Sequence, residues 1–161
     1  PVTGSIRVDG GSCEVAPGQS YAALDRGRGR WPYSLTWNWA TAAGLVGTDV
    51  VGLQLGGKWT DGTGSTENGI FVNGHLTYWP DSVTWDYNPD NWYDPWHITG
   101  EFVDAVMVPF HVRSATTNLG VLASSTQQAF GTWSGTAIDG SGQQFRLDGL
   151  EGWAEQARNR W

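Results

Sequence analysis

The chain has 161 residues, enough for one domain with a packed core, and it carries sixteen Asp and Glu against nine Lys and Arg. The resulting charge of −7 repels phosphate backbones, so no nucleic-acid partner is expected. No apolar run approaches membrane-span length, and a single cysteine, Cys13, has no partner for an internal disulfide, which points to a cytoplasmic, reducing setting.

Strand signals dominate from the N-terminus onward. SIRVDG opens with a short apolar alternation closed by Asp9-Gly10. LDRGRGRWPYSLTWNWA (24–40) follows, with Arg26, Arg28 and Arg30 spaced to share one face if the segment is extended. In the same conformation Trp37 and Trp39 share a face and Asn38 takes the other. WNWATAAGL, however, is also one of two stretches with helical composition, the second being the terminal GWAEQARNRW. VVGLQLGG reads as a strand. GIFVNGHLTYW reads as a hairpin about Asn73-Gly74, the strongest short-range hairpin signal. The stretch from Pro80 to His97 carries Pro80, Pro89 and Pro95 and reads as a long irregular loop. AVMVPFHV, FGTWSGTAIDG and QQFRLDGL are further strands, with turns at Asp139-Gly140 and Asp148-Gly149. Many antiparallel strands with little helix predict an all-β fold over residues 1–161, either a lipocalin-like antiparallel β-barrel or a β-sandwich. A barrel of this size has room inside for one small ligand.

The candidate chemistry centres on GGKWTDGTGSTENG. Asp61 and Glu67 are six residues apart and could meet across a tight loop, where one carboxyl would be pushed toward neutrality. The plainer alternative is that both cap loop amides. Glu67 is the better catalytic candidate, because Glu is a poorer turn residue than Asp. Eleven tryptophans exceed what a core of this size needs, and indoles serve equally as core and as ligand platforms. Asp86, Asn88 and Asp90 begin like a calcium loop, but Asn91 stands where glycine is required and His97 where the last acid belongs, so no EF-hand is read there. His75, His97 and His111 have no zinc spacing, and neither a phosphate-cradling loop nor a nucleophile elbow is present. No metal and no cofactor are therefore expected.

D-x-G-x-G-x-W (25–31), W-N-W-A (37–40), T-D-G-T-G-x-T-E-N (60–68) and the terminal G-W-x-E (152–155) together resemble the C-terminal half of the family designated domain of unknown function 2804. The family in turn is distantly similar to carotenoid hydratases, tocopherol cyclase and related proteins made of two lipocalin-like barrels. The resemblance covers nearly the whole chain. It implies a barrel that is one half of a longer two-barrel protein, with the other half or a second copy as a partner. It also implies a greasy cavity in which carboxylic acids, tyrosines and tryptophans act on hydrophobic molecules. Asp25, Arg28, Trp31, Trp37, Asn38, Trp39, Lys58, Asp61, Glu67, Asn68, Trp96 and Glu155 match the family pattern.

Three functions follow as expectations. The first is a lyase, hydratase or isomerase acting on a small hydrophobic substrate in a Trp-lined barrel cavity. There Glu67 is the general acid, Asp61 tunes it, Trp37 and Trp39 face a developing cation, and Lys58, Arg28 or Arg30 holds a substrate carboxylate. Asn38, Asn68 and Trp96 complete the expected binding set. The second is a lipocalin-like binder without catalysis. The third is a carbohydrate-binding or carbohydrate-active β-domain using Trp85, Trp92 and Trp96 as stacking platforms.

Overall fold

A computed structural model describes residues 1–16 and 18–161. The fold is all-β. An N-terminal hairpin, β1 (Gly4–Val8) and β2 (Gly11–Val15), forms its own two-stranded sheet. The remaining strands build one continuous antiparallel sheet. They are β3 (Ser34–Val46), β4 (Asp49–Gly57), β5 (Asn68–Val72), β6 (His75–Trp79), β7 (Thr84–Asp86) and β8 (Trp96–Thr99), followed by β9 (Val103–Asn118), β10 (Ala123–Ile138), β11 (Gln144–Arg146) and β12 (Glu151–Arg160). Neighbours run in the order β6-β5-β4-β3-β12-β10-β9-β8-β7, with β11 paired to β10 off this path. One strongly curled sheet forms a half-barrel, and this decides against two facing sheets.

The turns read from sequence hold their strands in register. Asn73 and Gly74 both have positive φ (51° and 85°), as a two-residue hairpin turn requires. The Asn73 side chain also binds back, accepting from Val50 N and donating to Asp49. Asp139 and Gly149 sit in the turns either side of β11.

Both helical candidates are strands. Ser34–Val46 is paired by β4 and β12, and Glu151–Arg160 by β3 and β10. Alanine is the best helix former, but propensity is a weak local bias, and pairing on both flanks overrides it. The 80–97 region is also more ordered than its prolines suggest, since β7 pairs with β8 across it (Trp85 opposite Ile98). On β9, Pro109 has no N–H to give the ladder, and there the register slips: Phe130 faces His111 but Gly131 faces Pro109, so Phe110 bulges out, 60% exposed.

Alternation along the central strands separates two faces. Ala40, Ala42, Val51, Leu53, Leu55, Ile70, Ala129, Ala154, Met107 and Trp133 lie on the concave face and form the core. The sheet curls toward that face, because its outer strands meet partners across it. Trp79 on β6 donates its indole N–H to Ile138 O on β10 (3.0 Å) and stacks on Phe102. Trp85 on β7 lies so close to β4 that a Cβ on Gly57 would stand 2.5 Å from its Nε1, which leaves glycine as the residue that fits. The half-barrel interior is filled with side chains.

Candidate functional site

The convex face carries the cleft in which titratable and aromatic side chains meet. In register, Trp39 on β3 lies opposite Glu155 on β12, and Glu155 lies opposite Gln128 on β10; Trp37 lies opposite Ala157. These are the odd positions of β3 and β12, the neighbours of core residues Ala40 and Ala154. A segment without regular structure, running from about Ser20 to Tyr33, passes over this face and brings Asp25, Arg26, Arg28 and Trp31 to it. Between segment and sheet lies a cleft of about 430 Å³, the size of a small-ligand site, into which five of the eleven indoles open: Trp31, Trp37, Trp39, Trp59 and Trp161.

Two glutamates line the cleft, and each is held by an indole. Trp59 Nε1–H donates to Glu67 Oε2 (3.2 Å), and Trp37 Nε1–H donates to Glu155 Oε1 (3.2 Å). Gln128 Nε2 donates to the other oxygen of Glu155 (2.8 Å). Glu67 is half-buried, and Glu155 is 7% exposed. Burial pushes both carboxyls above the usual carboxylate range, outweighing the indole hydrogen bonds that pull the other way, and the Asp25 charge adds to the rise in each. Glu67 also presses on β4: a Cβ at Gly56 would meet its Oε2 at 2.7 Å and its Cβ at 2.9 Å. Trp31 packs edge-on against Trp59 (5.4 Å between ring centres) and so ties the overlying segment to the loop that holds Glu67.

The residues expected from sequence to form one site divide among several places. Glu67, Trp37, Trp39 and Arg28 reach the cleft. Asp61 does not join Glu67. Its Oδ1 accepts from Lys58 N in a turn, and the acid whose charge acts on Glu67 is Asp25. Lys58, in a left-handed conformation (φ 69°), turns to the opposite face, where its Nζ donates to Tyr87 OH (2.8 Å) and Gln156 Oε1 (3.1 Å). Buried Asn38 joins that network, donating to Tyr87 OH and Glu155 O. Asn68 is consumed by backbone: Oδ1 accepts from Gly56 N, and Nδ2 donates to Asp81 O. Arg30 is exposed and outside the cleft lining. Trp96 is 1% exposed and stacks on Tyr87 (4.1 Å), with Trp85 and Trp92 half-buried around it. That group is an inward-facing aromatic cluster, so the 85–96 loop is no open sugar platform. The expected Trp-lined barrel cavity is likewise displaced: the interior is packed, and the indole-lined space lies on the outer face.

Sequence reasoning assigned no role to Asp25, Trp31 or Glu155 and overlooked Trp59 and Gln128. Once β12 is known to be a strand, Glu155 falls on the face of Trp37 and Trp39, whereas a helical reading hides that. Among the described residues, no group of three His, Cys, Asp or Glu side chains comes together closely enough to hold a metal ion. The acidic loop at 88–94 instead ties itself together, with Asn88 and Asn91 both donating to Asp94.

The model of domain of unknown function DUF2804 matches residues 1–161. The chain belongs to this family. No curated protein and no solved structure matches the DUF2804 chain, so the site is read from its own geometry. Among the described residues, no helix is long and apolar enough to cross a membrane.

Proposed function

We propose that the convex-face cleft is the site of acid–base chemistry of the lyase, hydratase or isomerase kind on a small substrate with a largely hydrophobic body. The observation that supports this reading is the pair Glu67 and Glu155. Both carboxyls are pushed toward the protonated form by burial and by Asp25, and both open to one indole-lined cleft. Glu67 Oε1 has no hydrogen-bond partner among the described residues, which leaves an oxygen for a substrate, so Glu67 is the general acid. Its proton passes to an alkene carbon or to a leaving hydroxyl. The positive charge that develops on the substrate faces the indoles. Capture by water, whose proton returns to a carboxylate, gives hydration. Loss of a neighbouring C–H proton to a carboxylate gives isomerisation or elimination. The distant resemblance to carotenoid hydratases and tocopherol cyclase accords with this chemistry, and the exposed, unpaired Cys13 accords with a cytoplasmic setting.

The test is a screen of small apolar alkenes and alcohols for gain or loss of water by mass spectrometry, repeated with Glu67→Gln. General-acid loss lowers turnover by about 10²–10⁴-fold while circular dichroism stays unchanged. Full turnover in Glu67→Gln removes Glu67 from the mechanism. Tight binding with no product from any member assigns the cleft to ligand storage, in the manner of lipocalins.

A further inference from the structure

We propose that the ligand of this cleft is an organic cation, with an ammonium-type head group carried on an apolar body. The inference rests on the cleft being the ligand site and adds the substrate's charge. Indole is the ring that binds cations best through its face, and five of them open to the same space. Two are fixed by their edges: the N–H groups of Trp37 and Trp59 are committed to Glu155 and Glu67, which orients rings that line the cleft. Three carboxyl groups, Asp25, Glu67 and Glu155, surround the same volume. None of them is in an ion pair among the described residues, where the one salt bridge joins Arg146 to Asp148.

The spacing distinguishes between kinds of cation. The three carboxyls border one cleft but do not converge into a metal-binding group, so a compact divalent ion has no cage here. A bulky, weakly hydrated ammonium group fills the space between separated carboxylates and ring faces. The arginines of the overlying segment do not take its place. Among the described residues neither Arg26 nor Arg28 comes within 4 Å of a carboxylate, the one cation over a ring is Lys58 on Tyr87, on the other face, and the outside charge acting on both glutamates is that of Asp25. The net charge of −7 draws cations toward the protein.

The test uses the full chain with benzyltrimethylammonium and choline, each against a neutral carbon isostere (3,3-dimethylbutan-1-ol for choline), with binding read by tryptophan fluorescence and calorimetry. The cations should bind at least about tenfold more tightly than the isosteres. Binding should release protons, seen as a buffer-dependent calorimetric heat near the raised glutamate values. Glu155→Gln, close in shape to the parent, should lose most of the preference, while Arg28→Gln, which removes a like charge from the cleft lining, should strengthen it. Equal affinity for cation and isostere overturns the proposal, and so does a preference that Glu155→Gln leaves untouched. A drop in cation affinity in Arg28→Gln would mean that the cation does not sit beside the cleft's arginine and would overturn it too. Binding is read without turnover, so the two readings fail separately. Cation selectivity in a protein that converts no substrate keeps this inference and sinks the acid–base one, and turnover of neutral alkenes without cation selectivity does the reverse.

Discussion

One indole helps to hold the curl of the sheet, and Trp79→Phe tests it. Trp79 sits on the edge strand β6, 2% exposed, and reaches across the concave face to Ile138 O on β10. Five strand-to-strand steps separate β6 from β10 along the sheet, so the bond ties together elements with no ladder between them. Phenylalanine keeps a ring against Phe102 but removes the donor. A carbonyl left without its partner in a buried setting costs about 1–3 kcal/mol. The smaller ring gives up roughly 40 Å² of buried surface, which at ~25 cal/mol/Å² adds about 1 kcal/mol. The expected loss is about 2–4 kcal/mol, a large share of the ~5–15 kcal/mol of a typical domain. Urea unfolding followed by fluorescence gives the loss as a shift in midpoint. Amide exchange locates it: protection should fall in β5 and β6 ahead of β3, β10 and β12. A loss under about 0.5 kcal/mol, or unchanged exchange in β6, would mean that the ladder alone holds the curl.

Two further outcomes follow from the cleft. Glu67 and Glu155 have carboxyls raised by burial, so as pH rises the unfolded chain releases these protons before the folded one does. Folded protein therefore holds more protons between the ordinary carboxylate range and the raised values, and its stability declines as pH climbs through that window. The double variant Glu67→Gln/Glu155→Gln should flatten that decline. Its thermal midpoint should exceed the parent's near neutrality and show no such gain at about pH 4; a variant less stable than the parent near neutrality would contradict the assignment. Gly56→Ala places a methyl 2.7 Å from Glu67 Oε2 and 2.9 Å from its Cβ, where ordinary contact begins at 3.4 Å. The carboxylate must move by about half an ångström or more, and a misplacement on this scale costs up to about 10²-fold in rate; unchanged activity would show that the position of Glu67 is not critical.

The legibility of the sequence followed the reach of its local signals. Asn73-Gly74 announces its hairpin because two consecutive positive φ angles need those residues, and the apolar runs of β4, β5, β9 and β10 announce a core. The alanines of β3 and β12 misled. Ala40, Ala42, Ala154 and Ala157 are small because the strands are buried and flanked on both sides, and only the pairing reveals it. For the site, the alternation of Trp37, Asn38 and Trp39 was readable in an extended chain and stands as read. Which face would hold the core was not readable, because both carry large side chains. The link from Glu67 to Asp25 and Glu155 spans the whole chain, and local spacing favoured Asp61, which had a turn to close.

Because the first half of β3 gives Asn38 and Ala40 to the packed interior and Leu35, Trp37 and Trp39 to the glutamate cleft, deleting Asn38 would turn every side chain beyond that point over. Trp39 would point inward where Asn38 now sits, and the small Ala40 would be left facing Glu155. Single-residue deletions in the first half of β3 should therefore abolish solubility and any binding in the cleft in a single event, whereas deletions in the loop at 88–94 can separate the two.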